Sequence, residues 1–193
     1  MRLDTVNNMK TLIINGSPRK NGNTAALTAA LTEQLSGSVS EFFSHQSRIS
    51  SCIDCRICQR QKGCVIRDDM DTIYADDFDN VVIASPIYTS MLPGPLVNIA
   101  SRFQCYYASR KFLNDPIARR AKKGALLLVG GGDGAPDPAI EFAQHMFRFM
   151  KAEFSMDHLV LSHNTDVVPA MEDAAALEKL AEVAAYLNGG ARV

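Results

Sequence analysis

Short apolar runs alternate with helical patterns along this chain. Lys10–Ile14 is rich in β-branched residues and stops at Asn15-Gly16, the pattern of a buried strand followed by a turn. Leu27, Leu31 and Leu35 recur at i, i+4 and i+8, so Thr24–Leu35 predicts a helix with one apolar face. Ser38–Phe43 predicts a weaker strand, and residues 44–67, which have no period, predict a loop. Asp69–Asp77 then predicts a short helix whose early carboxylates suit its N-terminal dipole. Asn80–Ala84 predicts a strand ending at Ser85-Pro86, and a helix is expected over Pro95–Tyr107, opened by a proline in its first turn. Gly124–Val129 gives the clearest strand and runs into Gly130–Gly134. Pro138–Lys151 predicts a helix, His158–Leu161 a strand, and the alanine-rich Glu172–Leu187 a closing helix.

Apolar strands alternating with helices imply a parallel sheet covered on both faces, joined by right-handed crossovers. Five such strands fit a three-layer, doubly wound α/β fold of flavodoxin-like type, strand order 2-1-3-4-5. In such folds ligands bind beyond the carboxyl ends of the strands. Segments 15–24, 44–67, 85–94 and 130–137 share that rim, and all the unusual chemistry of the sequence lies in them.

Composition narrows the function. With 193 residues, 47% of them apolar, the chain can bury a core as a single domain, expected at 9–190 behind an extension at 1–8. Lys and Arg number 20 against 21 Asp and Glu, a balance that argues against nucleic-acid binding. The apolar runs are too short to cross a bilayer, and residues 1–10 lack the apolar stretch of a signal peptide, so a cytoplasmic protein is expected. Four of the five cysteines, Cys52, Cys55, Cys58 and Cys64, fall within thirteen positions, which is not how a disulfide scaffold spreads them. Cys105 stands apart and, with Tyr106 and Tyr107, suggests helix packing. His45, His145, His158 and His163 show no metal spacing. Arg110, Lys111, Arg119, Arg120, Lys122 and Lys123 suggest a mostly solvated loop, and Phe142, Met146 and Phe149 a core or subunit-interface face.

The turn after the first strand, Asn15 to Thr24, brings glycines, hydroxyls and a helix N-terminus together, a setting for an anionic phosphate. It is neither a Walker A loop nor G-x-G-x-x-G, so a single terminal phosphate fits best; an ordinary polar turn with a helix cap is the alternative. Gly16-Ser17-Pro18-Arg19-Lys20-Asn21-Gly22-Asn23-Thr24 resembles the phosphate loop of the NADPH-dependent FMN reductase family. Ser85–Pro93 is similar to that family's second flavin loop, and Gly130–Gly134 to its third. The resemblance implies an FMN whose phosphate is held by Ser17, Arg19, Asn23 and Thr24. Its ring would lie along Pro86, Ile87, Tyr88 and Thr89 and along Gly131, Gly132 and Asp133. One departure stands in the helix that follows: Ile99-Ala100-Ser101-Arg102 has Ser101 where the family has Asp.

Cys52-x2-Cys55-x2-Cys58-x5-Cys64 resembles the motif of the iron–sulfur flavoprotein branch of the same family. Four thiolates suit one [4Fe–4S] cluster, the two-residue spacers aiming three sulfurs at one cubane. Zinc, a redox dithiol and an empty site stay open as readings of these thiols. Asp54 stands where many relatives carry Gly before the second cysteine, and Asp tolerates a left-handed turn better than most residues.

The resemblance thus implies an FMN-dependent oxidoreductase that exchanges electrons between FMN, the cluster and an external partner, either NAD(P)H or a ferredoxin-like carrier. N5 of the flavin carries the chemistry, and no side chain is nominated as acid or base. A homodimer or homotetramer is implied. A cluster-free NAD(P)H-dependent FMN or quinone reductase is the alternative within the same fold and class, and a non-catalytic electron carrier or zinc-stapled flavin-binding module the alternative of another functional class.

Overall fold

The computed structural model describes residues 9–189, so the expected extension at 1–8 and residue 190 lie outside the described residues. In chain order the elements are β1 (Lys10–Asn15), α1 (Asn23–Gln34), β2 (Ser38–Phe43), α2 (Met70–Tyr74), β3 (Asn80–Pro86), α3 (Gly94–Arg102) and α4 (Gln104–Lys111). They continue with β4 (Lys122–Val129), α5 (Asp137–Met150), β5 (Ala152–Glu153), β6 (Leu159–Ser162) and α6 (Ala174–Leu187).

The strands pair in parallel in the order β2-β1-β3-β4, and both β5 and β6 pair with the outer edge of β4. The fifth place of the 2-1-3-4-5 order is therefore shared: β5 lies beside Lys122 and Lys123, and β6 beside Leu126–Val129. The continuous apolar runs of the central strands follow from burial on both faces. Leu12, Ile14, Val81, Ile83, Leu126 and Leu128 pack in one layer with Leu96 and Ile99 of α3 and Met146 and Phe147 of α5. Ile13, Val82, Ala84, Ala125, Leu127 and Val129 pack in the other with Leu27 and Leu31 of α1 and Leu180 and Val183 of α6. Each fully buried Leu, Ile or Val contributes about 1.5–3 kcal/mol over leaving it in water.

Four local readings need correction. The helix expected over Pro95–Tyr107 is two helices, α3 and α4, meeting at Phe103. At the junction Phe103 N–H donates to Ala100 O at 3.0 Å, and the Arg102 carbonyl takes the Tyr74 hydroxyl at 2.9 Å. The break turns one buried face into two, with Arg102 buried at the end of α3, and Cys105 and Tyr106 in α4, while Tyr107 is exposed rather than packed. β4 begins at Lys122, not Gly124, and Lys122 is buried rather than solvated because its ammonium meets Asp76 at 2.6 Å and the Met150 carbonyl at 3.2 Å. His158 ends a tight 3-10 turn before β6 instead of starting the strand. α6 starts at Ala174 after Asp173, whose carboxylate accepts the Ala176 N–H at 3.1 Å as a cap and the Ser162 hydroxyl at 2.8 Å.

Candidate functional site

Everything expected to carry chemistry leaves the carboxyl ends of β1, β2, β3 and β4. The turn after β1 is held from within: Asn15 Nδ2 donates to Glu41 Oε1 at 2.7 Å, and its Oδ1 accepts the Ser17 N–H at 2.7 Å. Gly16 leaves room for α3, because a Cβ there would stand 2.6 Å from Leu96 Cδ1 and 3.0 Å from Ser85 Oγ. The Ser17 hydroxyl accepts the Arg19 N–H at 3.2 Å. The helix that follows begins without a side-chain cap, behind extended Gly22, and has no carboxylate in its first turn. Its free N–H groups and positive dipole end are thus left for an anion from outside the helix.

After β3, Tyr88 and Met91 exchange backbone hydrogen bonds across a tight turn whose tip, Thr89 and Ser90, has φ of 52° and 61°. After β4, the glycine loop is braced by the segment that leaves β6. Thr165 donates from its N–H and hydroxyl to Gly130 O, at 3.0 and 3.2 Å, and Asp166 N–H donates to Gly131 O at 3.2 Å. A Cβ on residue 131 would stand 2.7 Å from Asp166 Oδ2, so the Asp166 carboxylate would have to shift to admit any side chain there.

These loops enclose a cavity of about 370 Å³, within the range of small-ligand pockets. It gathers Ser17, Arg19, Asn23 and Thr24 from the first loop, Pro86, Ile87 and Tyr88 from the second, and Gly131 and Gly132 from the third. Thr89, at the tip of its turn, and Asp133, exposed beyond the glycines, are not part of the lining. Gly22, Val129, Thr165 and Asp166 join it without having been expected. Thr165 and Asp166 had a signal, since they leave the carboxyl end of the last strand. Asn23 also braces the cavity wall from behind, its Nδ2 donating to Thr165 O at 3.4 Å and its Oδ1 accepting the Ala170 N–H at 3.0 Å.

The cysteine loop occupies the other end of α3. Cys52, Cys55, Cys58 and Cys64 line one small cavity of about 70 Å³, together with Arg102 and Cys105. Cys105 is buried as expected, yet it belongs to this cavity as well as to the core. Asp54 and Arg56, on either side of Cys55, adopt φ of 49° and 59°, so Asp54 takes the left-handed turn its residue type tolerates. Ser101 also has a role of its own, its hydroxyl accepting the Cys52 N–H at 3.0 Å. Among the described residues no three Cys, His, Asp or Glu side chains are grouped so as to hold a single metal ion. A four-iron cluster is larger than one ion, and a set of four thiols around a shared cavity suits it as a donor set.

Arg102 closes the loop. Its side chain is fully buried, and Nη1 meets Asp68 Oδ2 at 2.6 Å and Ser50 O at 3.0 Å, while Nη2 meets Ile66 O at 3.0 Å. Its Nε is buried without a hydrogen-bond partner. Burial works against the Asp68 carboxylate. The Arg102 guanidinium and the N–H groups of Ser50 and Met70 nonetheless hold its pKa below the usual carboxylate value. Burial, then the neighbouring Cys55, pushes the Cys58 thiol up, and burial pushes Cys105 up to about 11.

Three comparisons bear on these sites. A family model described as NADPH-dependent FMN reductase matches residues 9–166. An iron-sulfur flavoprotein of Archaeoglobus fulgidus is 32% identical over 75% of this chain and 63% of its own length, so the chain spans less than two thirds of that relative. Iron-sulfur flavoproteins of Methanosarcina thermophila and Methanocaldococcus jannaschii are 28% and 34% identical, over 93% of each chain and 72% of each chain respectively. Among solved structures, an FMN-dependent NADH-azoreductase of Bacillus anthracis in complex with FMN superposes with a TM-score of 0.64 at 15% identity, over 93% of this chain and 99% of that one. Azoreductase AzrA gives 0.61 at 19% identity, over 92% and 99%. At such identities the likeness concerns the fold.

Proposed function

This chain belongs to the NADPH-dependent FMN reductase family, a family of flavin-dependent oxidoreductases, and from that premise we propose that it carries FMN in the cavity beyond β1, β3 and β4. The observation that carries the proposal is the uncapped N-terminus of α1, whose Gly22, Asn23 and Thr24 line a cavity shared with Pro86–Tyr88 and Gly131-Gly132. A phosphate would rest on the first-turn N–H groups, Ser17, Arg19 and Thr24. The glycines would admit a planar ring close to the backbone, with Tyr88 at its border.

The same reading gives Cys52, Cys55, Cys58 and Cys64 a [4Fe–4S] cluster, supported by the shared cavity and by three relatives named iron-sulfur flavoproteins. When bound, FMN supplies electron transfer in pairs or singly, and the cluster supplies single-electron transfer. The chain's own residues position the two groups and set the charge around them. NAD(P)H or a ferredoxin-like carrier would exchange electrons with them. A homodimer or homotetramer is part of the proposal, supported by an apolar face formed by Val97, Phe142 and Phe149 between α3 and α5.

A cluster-free NAD(P)H-dependent reductase is the second reading, favoured by the family model, whose description is that of an FMN reductase. Anaerobic purification followed by an absorption spectrum, iron and sulfide assays and NAD(P)H oxidation separates the two. Flavin with iron and acid-labile sulfide is expected. Flavin with NAD(P)H turnover but neither iron nor sulfide would establish the second reading, and a preparation without flavin would overturn both.

A further inference from the structure

We propose that Arg102 is the positioning residue of the cysteine centre: it ties the two ends of the loop together and fixes the charge facing the thiols. The proposal rests on the cluster reading above. One guanidinium binds the carbonyls of Ser50 and Ile66, residues that bracket all four loop cysteines, and pairs with Asp68 just beyond them. Asp68 repeats the closure through the Ser50 N–H at 3.1 Å and the Met70 N–H at 3.1 Å. A planar fork is needed for this, because an ammonium cannot present two N–H rows to carbonyls on either side of a loop. Arg102 is also part of the cavity wall, and its Nε N–H, buried and unpartnered, is a donor that the protein alone leaves unused. A centre held by four thiolates is anionic and gains a further negative charge on one-electron reduction, so a buried cation beside it favours the reduced form. Asp68, held as a carboxylate, opposes that effect.

The test uses Arg102→Lys, Arg102→Gln and Asp68→Asn in the full chain, reconstituted anaerobically with iron and sulfide alongside the wild type. Iron and sulfide per chain, the cluster midpoint potential, and amide hydrogen exchange across residues 50–66 in cluster-free protein are the readouts. The expected result is a lower potential for Arg102→Gln and a higher one for Asp68→Asn, each by about tenfold in the redox equilibrium, about 59 mV for one electron. Arg102→Lys keeps the wild-type potential to within that margin but exchanges the loop amides at least tenfold faster. Potentials that move together or not at all overturn the charge role, because simple loosening of the loop displaces both variants the same way. Unchanged exchange in Arg102→Lys overturns the clamp. If Arg102→Gln does not fold, Asp68→Asn and Arg102→Lys still decide the two roles. A wild type that takes up no cluster overturns the cluster reading and the charge role with it, while the exchange measurement decides the clamp separately.

Discussion

The amide of Asn23 joins α1 to the loop of Thr165 and Ala170, using both its donor and its acceptor. Asn23→Ala should cost about 1–3 kcal/mol, the usual loss for unpairing partly buried polar groups, read from urea denaturation. Flavin content should fall as well, because Thr165 and Asp166 lose their anchor on the cavity wall. Thr24→Val should lower flavin content with little change in stability; unchanged flavin content in both variants would falsify the placement of the phosphate. The carboxylate of Asp68 gives a pH prediction. Its folded pKa lies below its unfolded value of about 3.9, so its contribution is fully present above that value and is lost as pH falls through the folded pKa. The loop at 50–66 should therefore become protease-sensitive below about pH 4 in wild type, with a smaller acid dependence in Asp68→Asn. At this scale the sequence was legible where a residue's type matches its backbone, as at Asp54 with φ of 49°. It was not legible for Arg102, whose partners Ser50, Ile66 and Asp68 are set by tertiary contacts between distant segments.

Among elements, the strands were the most legible, since burial on two faces leaves little but apolar residues in them. The junction of α3 and α4 was illegible because no Gly or Pro marks it. Its causes are the side chain of Phe103, fully buried against Tyr106 at 5.1 Å and Phe149 at 6.1 Å, and the hydroxyl of Tyr74. Phe103→Ala should cost about 3–5 kcal/mol in chemical denaturation. A loss under about 1 kcal/mol would mean that the ring does not anchor the junction. In the cysteine loop, Gly63 has φ of 90° with nothing within 4 Å of where a Cβ would stand. Gly63→Ala should thus cost only the backbone strain, about 1–2 kcal/mol, seen as faster hydrogen exchange confined to that loop. β5 was also missed, since a two-residue segment carries no period.

Across the whole molecule, the 2-1-3-4-5 order explains why the first three flavin loops could be placed at one rim from the sequence. Topology fixes which loops meet, but side-chain reach decides the lining, and so Thr89 and Asp133 fell outside while Thr165 and Asp166 came in. Among the described residues no helix is long and apolar enough to cross a membrane, in keeping with the short apolar runs. The apolar face at Val97, Phe142 and Phe149 should be covered in the proposed oligomer. Phe142→Glu should then shift the mass measured by sedimentation toward the monomer, and an unchanged mass would place the interface elsewhere.

α3 touches both sites, with Leu96 against the turn at Gly16 near its start and Arg102 in the cysteine cavity at its end, about 9 Å apart along the helix axis. A helix of that length passes a shift along its axis from one end to the other. An axial displacement that loading the cysteine loop imposes on Arg102 would therefore reach the flavin turn, and the reverse would hold equally. The two affinities are then bound by reciprocity: whatever factor a filled cysteine loop applies to FMN dissociation, bound FMN must apply to the loop's own loading. Titrating FMN into protein with and without iron and sulfide measures that factor from one side, and chelator release of iron with and without FMN measures it from the other.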